Sequence, residues 1–164
     1  MTKHVFSIIV ENNSGVLSRI SGLFARRGFN IDSLSVGETE NPRYSRMTIS
    51  SCGDSELMEQ IKRQVSKLEE VVSVTEMDAE NSVAREYLLI KFDCDLENRS
   101  RIIDLTSVFR ASVVDVSEHS LIAELTGTPD KIGAFIKLAV PLGMTEIVRT
   151  GMTAMQRGSG GKWE

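Results

Sequence analysis

Histidine and cysteine are scarce in this chain, two of each in 164 residues. Cys52 and Cys94 stand singly in strand-like runs without CxxC spacing, which leaves a disulfide framework and a zinc site without support. They read as two buried thiols of a reducing compartment. His4 precedes the first strand and His119 falls at a hairpin tip, so both read as solvated surface residues, too few and too scattered for histidine-based catalysis. The glycine-rich and catalytic fingerprints are missing as well: no GxGxxG, no GxxxxGK followed by Ser or Thr, no GxSxG and no HExxH. The tail Arg157-Gly158-Ser159-Gly160-Gly161-Lys162 resembles a phosphate loop only superficially, because it lacks the spacing and follows no assigned strand; it reads as a frayed terminus. No apolar run approaches the roughly twenty residues that cross a bilayer, and the opening shows no secretory pattern. A net charge of −4 leaves no basic footprint for a nucleic-acid backbone.

What is present is ordered. With 41% hydrophobic and 26% charged residues, the chain has enough apolar material for one ordinary domain or two small ones. Val5 to Val10 is a strand-length apolar run that stops at the capping and turn residues Asn12-Asn13-Ser14-Gly15. Val16, Leu17, Ile20, Leu23 and Phe24 then recur at helical spacing, with Arg19, Arg26 and Arg27 opposite, until Gly28 ends a helix over about residues 15 to 27. Ile31 to Val36, ending at Gly37, and Tyr44 to Cys52 form a hairpin. Asp54 caps a second helix with the stripe Leu57, Met58, Ile61, Val65 and Leu68, and Val71 to Met77 closes the unit as a strand.

After the small, polar stretch 79–84 the same order repeats. Glu86 to Phe92 is a strand, and Ile102, Leu105, Val108 and Phe109 mark a helix. Ser112 to Val116 and Leu121 to Leu125 make a hairpin. Thr128-Pro129-Asp130 starts a last helix with the stripe Ile132, Phe135, Ile136 and Ala139, and Met144 to Arg149 is the final strand. The fold class is therefore α+β, two ferredoxin-like βαββαβ modules, with residues 1–78 as the first, 79–84 as linker and 85–164 as the second. In such a module both helices lie on one sheet face. The first strand is apolar on both sides, Phe6, Ile8 and Val10 against Val5 and Ile9, so the second face needs a cover, and the second module or another chain is the cheapest. The strand from Ile31 to Val36 falls at an edge, where pairing with its own symmetry mate would blunt it.

The acidic pairs Glu69-Glu70 and Asp93 with Asp95 read as exposed helix ends and loop edges, and no constellation supports an active site. The informative place is the turn Glu11 to Leu17. Every helix start presents free N–H groups and a partial positive charge, usually met by an acid in the first turn. The second and fourth helices have Asp54 with Glu56 and Asp130; the first has none, and Gly15 bares the approach to its donors. Asn12 and the distant Asn30 supply neutral donors and acceptors, with Val16, Leu17 and Ile31 as an apolar wall, a set that suits a small free amino acid. Ordinary capping by Asn and Ser and a simple turn glycine explain the same residues and, from them alone, come first.

The stretch Ile8 to Ile20, continuing through Gly22-Leu23-Phe24-Ala25-Arg26-Arg27-Gly28-Phe29-Asn30-Ile31, closely resembles the regulatory (small) subunit of acetohydroxyacid synthase, also called acetolactate synthase. Ser45-Arg46-Met47-Thr48-Ile49, Gly53-Asp54, Phe109-Arg110-Ala111, Val114-Asp115-Val116 and Glu124-Leu125-Thr126-Gly127 extend the likeness over the whole length. The resemblance implies an N-terminal ACT domain for effector binding and dimerisation, a C-terminal ferredoxin-like regulatory domain, and a cytoplasmic, non-catalytic homodimer. It implies feedback by a branched-chain amino acid, typically valine, held at the dimer interface by Asn12, Gly15, Val16 and Leu17 of one protomer and Asn30 and Ile31 of the other. Where many ACT domains carry Pro-Gly, this chain has Ser14-Gly15. The partner is then a catalytic subunit that holds thiamine diphosphate, Mg²⁺ and FAD, with no cofactor in this chain. Arg26 and Arg27 at the end of the first helix read either as contacts to that subunit or as solvated arginines favoured by the helix dipole. A free-standing amino-acid sensor of the ACT type is the alternative, and a small ferredoxin-like isomerase or transferase a third class that the shortage of functional groups disfavours.

Overall fold

The computed structural model describes residues 2–158, and the glycine-rich tail from Ser159 onward lies outside the described residues. Thirteen elements alternate as the apolar periodicities require. In the first half β1 (Thr2–Glu11) leads to α1 (Val16–Arg26), the hairpin β2 (Ser33–Glu38) and β3 (Tyr44–Gly53), α2 (Ser55–Val65) and β4 (Val71–Glu76). The second half runs β5 (Ser82–Asp93), α3 (Leu96–Phe109), β6 (Ser112–Val116), β7 (Ser120–Gly127), α4 (Pro129–Ala139), a 3₁₀ turn (Val140–Leu142) and β8 (Met144–Gln156). Each half builds a four-stranded sheet, in the orders β2-β3-β1-β4 and β6-β7-β5-β8. The α+β βαββαβ pattern occurs twice.

The register follows from which side chains each strand must bury. In β1, Phe6, Ile8 and Val10 face the helices and enter a core with Val16, Ile20 and Phe24 of α1, Met58, Ile61 and Val65 of α2, and Met47 and Ile49 of β3. The second sheet repeats this with Leu88, Ile90 and Phe92 of β5 against Ile102, Ile132 and Phe135. The second face of the first sheet is also closed: Ser7, Ile9, Thr48 and Ser50 are all buried. Compact grouping places residues up to Ala84 together with those from Met152 on in one unit, and Arg85–Gly151 in another. Within the first unit, the N–H of Met152, a residue of the expected second module, donates to Ser33 Oγ at 3.4 Å.

Several expectations need correction. Residues 82–84, expected in the linker, begin β5, and β8 continues past Arg149 to Gln156. β2 starts at Ser33 and runs through Gly37, because Gly37 keeps its ladder position opposite Arg46. Leu68 lies beyond α2 yet packs on the core, whereas Val108, placed on the α3 stripe, is 78% exposed. Cys52 is exposed and only Cys94 is buried. His4 is not a solvated residue: it is buried, stacks beside Phe6, and its Nδ1 meets Glu76 Oε1 at 2.7 Å, joining β1 to β4. Among the charged edges, Glu69, Asp93 and Asp95 are exposed, Asp95 capping α3, and His119 is exposed at the hairpin tip, whereas Glu70, expected at an exposed helix end, is largely buried in an ion pair with Arg19.

Core and surface positions should separate sharply in stability. Ile20→Ala, at a fully buried site, is expected to lower the unfolding free energy by about 2–5 kcal/mol, and Val108→Ala to change it by about 0.5 kcal/mol or less. Urea denaturation followed by far-ultraviolet circular dichroism checks both, and equal losses would contradict the assigned core.

Candidate functional site

The chain leaves β1 at Glu11 and must turn within four residues to enter α1. Backbone bonds pin the exit: Glu11 N–H donates to Glu70 O and Asn12 N–H to Arg43 O, each at 2.8 Å. Asn12 then fastens the turn to the far end of the β2–β3 hairpin. Its Nδ2 donates to Glu38 Oε1 and to the Pro42 carbonyl, both at 3.1 Å, and its Oδ1 accepts from Ser45 Oγ at 3.1 Å. Two acceptors on one side and a hydroxyl on the other fix which end of the amide is which. Asn13 Nδ2 turns back to Glu11 Oε2 at 2.8 Å.

Gly15 completes the turn in the left-handed region, φ 86° and ψ −12°, a conformation that costs a residue with a β-carbon about 1–2 kcal/mol. Nothing lies within 4 Å of the place where such a carbon would sit. Backbone conformation, not space, therefore demands glycine here. No side chain caps α1, and its first turn contains no acid.

The other helices differ. Asp54 accepts from Glu56 N–H, Asp95 accepts from Glu97 and Asn98 N–H in a reciprocal box, and Thr128 accepts from Lys131 N–H beside Asp130. An uncapped start exposes free amide donors and roughly half a positive charge. Arg19, four residues past Gly15, carries a further positive charge that is met by an ion pair with Glu70. This site of donors stands at the surface, with Leu17 39% exposed next to it.

The six residues singled out in the sequence fall into two groups. Asn12, Gly15, Val16 and Leu17 lie at the N-terminal end of α1; Val16 is buried and sends its side chain into the core. Asn30 and Ile31 lie past the other end of α1, about 16 Å away along a helix of 11 residues. Asn30 Nδ2 donates to Asp32 Oδ1 at 3.2 Å while its carbonyl accepts from Ser51 Oγ, and Ile31 packs half-buried on the core. A hollow of about 630 Å³ opens at this second end, lined by Phe29, Asn30, Asp32, Cys52, Asp54 and Leu57 among others. A hydrogen bond to the Asp32 carboxylate, then desolvation, push the Cys52 thiol above its usual range, so it is not activated as a nucleophile. One chain does not bring the two groups together.

β2 spans the gap between them. It begins just after Asn30 and Ile31 and ends at Glu38, whose carboxylate touches Asn12, and it is an edge of its sheet. Sequence reasoning missed Glu38 and Ser45 as members of the site. The signal was available: the ladder of β1 with β3 sets Glu11 opposite Tyr44, and that of β2 with β3 sets Glu38 opposite Ser45, so the hairpin's end must lie against Asn12.

The second unit offers ion pairing and no comparable cradle. Glu86, almost wholly buried, takes a two-pronged bond from Arg149 at 2.5 and 2.8 Å, which raises the arginine above its already high range. Tyr87 donates its hydroxyl to Glu124 at 2.7 Å, and that bond, with partial burial, raises the phenol. Among the described residues no group of three or more His, Cys, Asp or Glu side chains is placed to hold a metal ion, and no helix is long and apolar enough to cross a membrane.

The capping contrast is measurable. Asp54→Ala should cost about 1 kcal/mol of stability by removing a cap, whereas Ser14→Ala should cost about 0.3 kcal/mol or less because no side chain caps α1. Equal losses in urea denaturation would show that α1 is capped in solution.

Comparison with known proteins covers nearly the whole chain. Residues 6–73 match the family described as AHAS small subunit-like ACT domain, and residues 85–158 match that described as small subunit of acetolactate synthase. The chain is 50% identical over 157 residues to the probable acetolactate synthase small subunit of Archaeoglobus fulgidus, covering 96% of this chain and 98% of that protein. It is 46% identical over 158 residues to the acetolactate synthase small subunit of Mycolicibacterium smegmatis, covering 96% and 93%. The crystal structure of the acetolactate synthase small subunit from Thermotoga maritima superposes with a TM-score of 0.90 at 45% identity, covering 97% of this chain and 99% of that one.

Proposed function

The chain belongs to the acetolactate synthase small-subunit family, and from that membership we propose that it is a non-catalytic regulatory subunit whose ACT domain binds a branched-chain amino acid, valine foremost, between two copies of itself. The catalytic work, with thiamine diphosphate, Mg²⁺ and FAD, falls to a separate large subunit that this chain activates and, when the amino acid is bound, inhibits. Effector binding and dimerisation are assigned to the first module, and the cell compartment is the cytoplasm.

One observation carries the reading: among the described residues α1 is the one α-helix that starts without a cap or a first-turn acid, at one end of an open edge strand whose other end holds Asn30 and Ile31. Two copies paired antiparallel through β2 around a two-fold axis bring the beginning of one strand beside the end of the other. Asn30 and Ile31 of one copy then approach Asn12, Gly15 and Leu17 of its mate, across a separation that no single chain closes. Such pairing also satisfies the open row of backbone donors and acceptors along β2. The ligand's carboxylate meets the α1 amides, and its side chain lies against Leu17 and the mate's Ile31.

A ligand shared by two copies biases their arrangement only as far as it prefers one geometry, and such couplings are commonly about 1–3 kcal/mol. The catalytic subunit reads that bias as lost activity. Pocket size does not fix the choice among valine, leucine and isoleucine, since one methylene is worth about 1–3 kcal/mol.

Calorimetric titration of the full chain with the three amino acids tests the proposal, with binding of at least one expected. Gly15→Asp places a carboxylate at the α1 amides in the ligand's stead, and is expected to weaken binding by about a hundredfold, roughly 2.7 kcal/mol, and to leave the holoenzyme insensitive to the amino acid. Unchanged binding in that variant would overturn the site.

A further inference from the structure

We propose that Glu38 is the residue that makes this site select an amino acid over the corresponding 2-oxo acid, a refinement that rests on the effector site proposed above. The argument starts from what Asn12 has left to offer. Both hydrogens of its Nδ2 are spent, on Glu38 Oε1 and on the Pro42 carbonyl, while its Oδ1 accepts one bond from Ser45 Oγ and keeps a lone pair. Asn12 therefore presents an acceptor to a ligand, never a donor. Beside it the Glu38 carboxylate has one oxygen on Asn12 and its second oxygen unused.

No lysine, arginine or histidine among the described residues lies within ion-pair distance of that carboxylate. Three other acids around the site are occupied. Glu70 is paired with Arg19, Glu11 is bonded to Asn13 Nδ2, and Asp32, at the far end of β2, accepts from Asn30 Nδ2 and from the Cys52 thiol. The corner made by Asn12 and Glu38 is thus all acceptor and carries an unmatched negative charge.

An α-ammonium group supplies what the corner lacks, three N–H donors and a positive charge. A 2-oxo acid of the same carbon skeleton brings a ketone oxygen instead, one more acceptor facing acceptors, and leaves the carboxylate unpaired in a partly desolvated seam. Selection against the oxo acid is useful chemistry for a regulator, because the two compounds differ by one transamination and share their whole apolar part. Rejection by a polar group left without its partner is also the strong kind of discrimination, unlike rejection by one methylene.

The test is calorimetry on the full chain with valine and with 3-methyl-2-oxobutanoate, for the natural protein, Glu38→Gln and Glu11→Gln. Glutamine keeps an oxygen for Asn12 Nδ2, so the turn is preserved while the charge is removed. Natural protein should bind valine and reject the oxo acid by about a hundredfold or more; Glu38→Gln should weaken valine about ten- to a hundredfold, with oxo-acid affinity unchanged or improved. Glu11→Gln should stay within about threefold of the natural protein for both ligands. Valine binding by Glu38→Gln within about threefold of the natural protein, or loss of selectivity in Glu11→Gln instead, overturns the assignment. If the natural protein binds none of valine, leucine and isoleucine, the effector site itself is wrong and the inference falls with it, an outcome distinct from a failure confined to Glu38.

Discussion

The ladder between β1 and β3 runs unbroken from Thr2 opposite Gly53 to Glu11 opposite Tyr44, and every group of interest takes its place from it. Side chains alternate between faces, so a slip of one residue would send Phe6, Ile8 and Val10 away from the helices and expose the core of the first unit. That penalty fixes where the chain leaves β1. The exit lies against the end of the β2–β3 hairpin, where Arg43 O receives the Asn12 N–H and Glu38, Pro42 and Ser45 receive or supply its side-chain bonds. A turn held this firmly forces Gly15 into a left-handed conformation and delivers α1 to the surface with its first amides free. Packing in the core thus dictates a polar feature at the rim.

Much of this was legible before any coordinates. The apolar stripe of α1, the missing first-turn acid and the edge position of β2 follow from residue spacing, turn chemistry and the βαββαβ order, because those signals are local or topological. What escaped notice depends on partners distant in sequence. His4 looked like a surface residue because its burial comes from Phe6 and Glu76, the latter 72 positions away. Val108 looked like part of a helical stripe, yet α3 turns Ile102 and Thr106 inward instead. Residues 82–84 looked like linker because they are small and polar, but the ladder with β8 recruits them into β5. Glu38 carries no motif at all, and only the combined registers of two strand pairs bring it to Asn12.

The two units solve the same topological problem and then diverge. The second closes its helix starts with Asp95 and Thr128, and ties β5 to β8 with the Glu86–Arg149 pair. The first leaves one helix start unmet. A scaffold that caps three helices and leaves the fourth bare gives up about 1 kcal/mol, the usual value of a cap, and gains a place where an outside carboxylate is welcome. In the account proposed for this family member, that place is half a site, completed only when an identical β2 edge supplies Asn30 and Ile31. Ligand binding and self-association are then one equilibrium seen from two sides, since a compound that needs both copies must stabilise their union.

Sedimentation equilibrium of the full chain, with and without saturating valine, examines that linkage most directly. A shared site requires the dimer dissociation constant to fall by about tenfold or more when the amino acid is present, equivalent to about 1.4 kcal/mol of coupling. An unchanged constant, with valine bound at full affinity by the single chain, would contradict it.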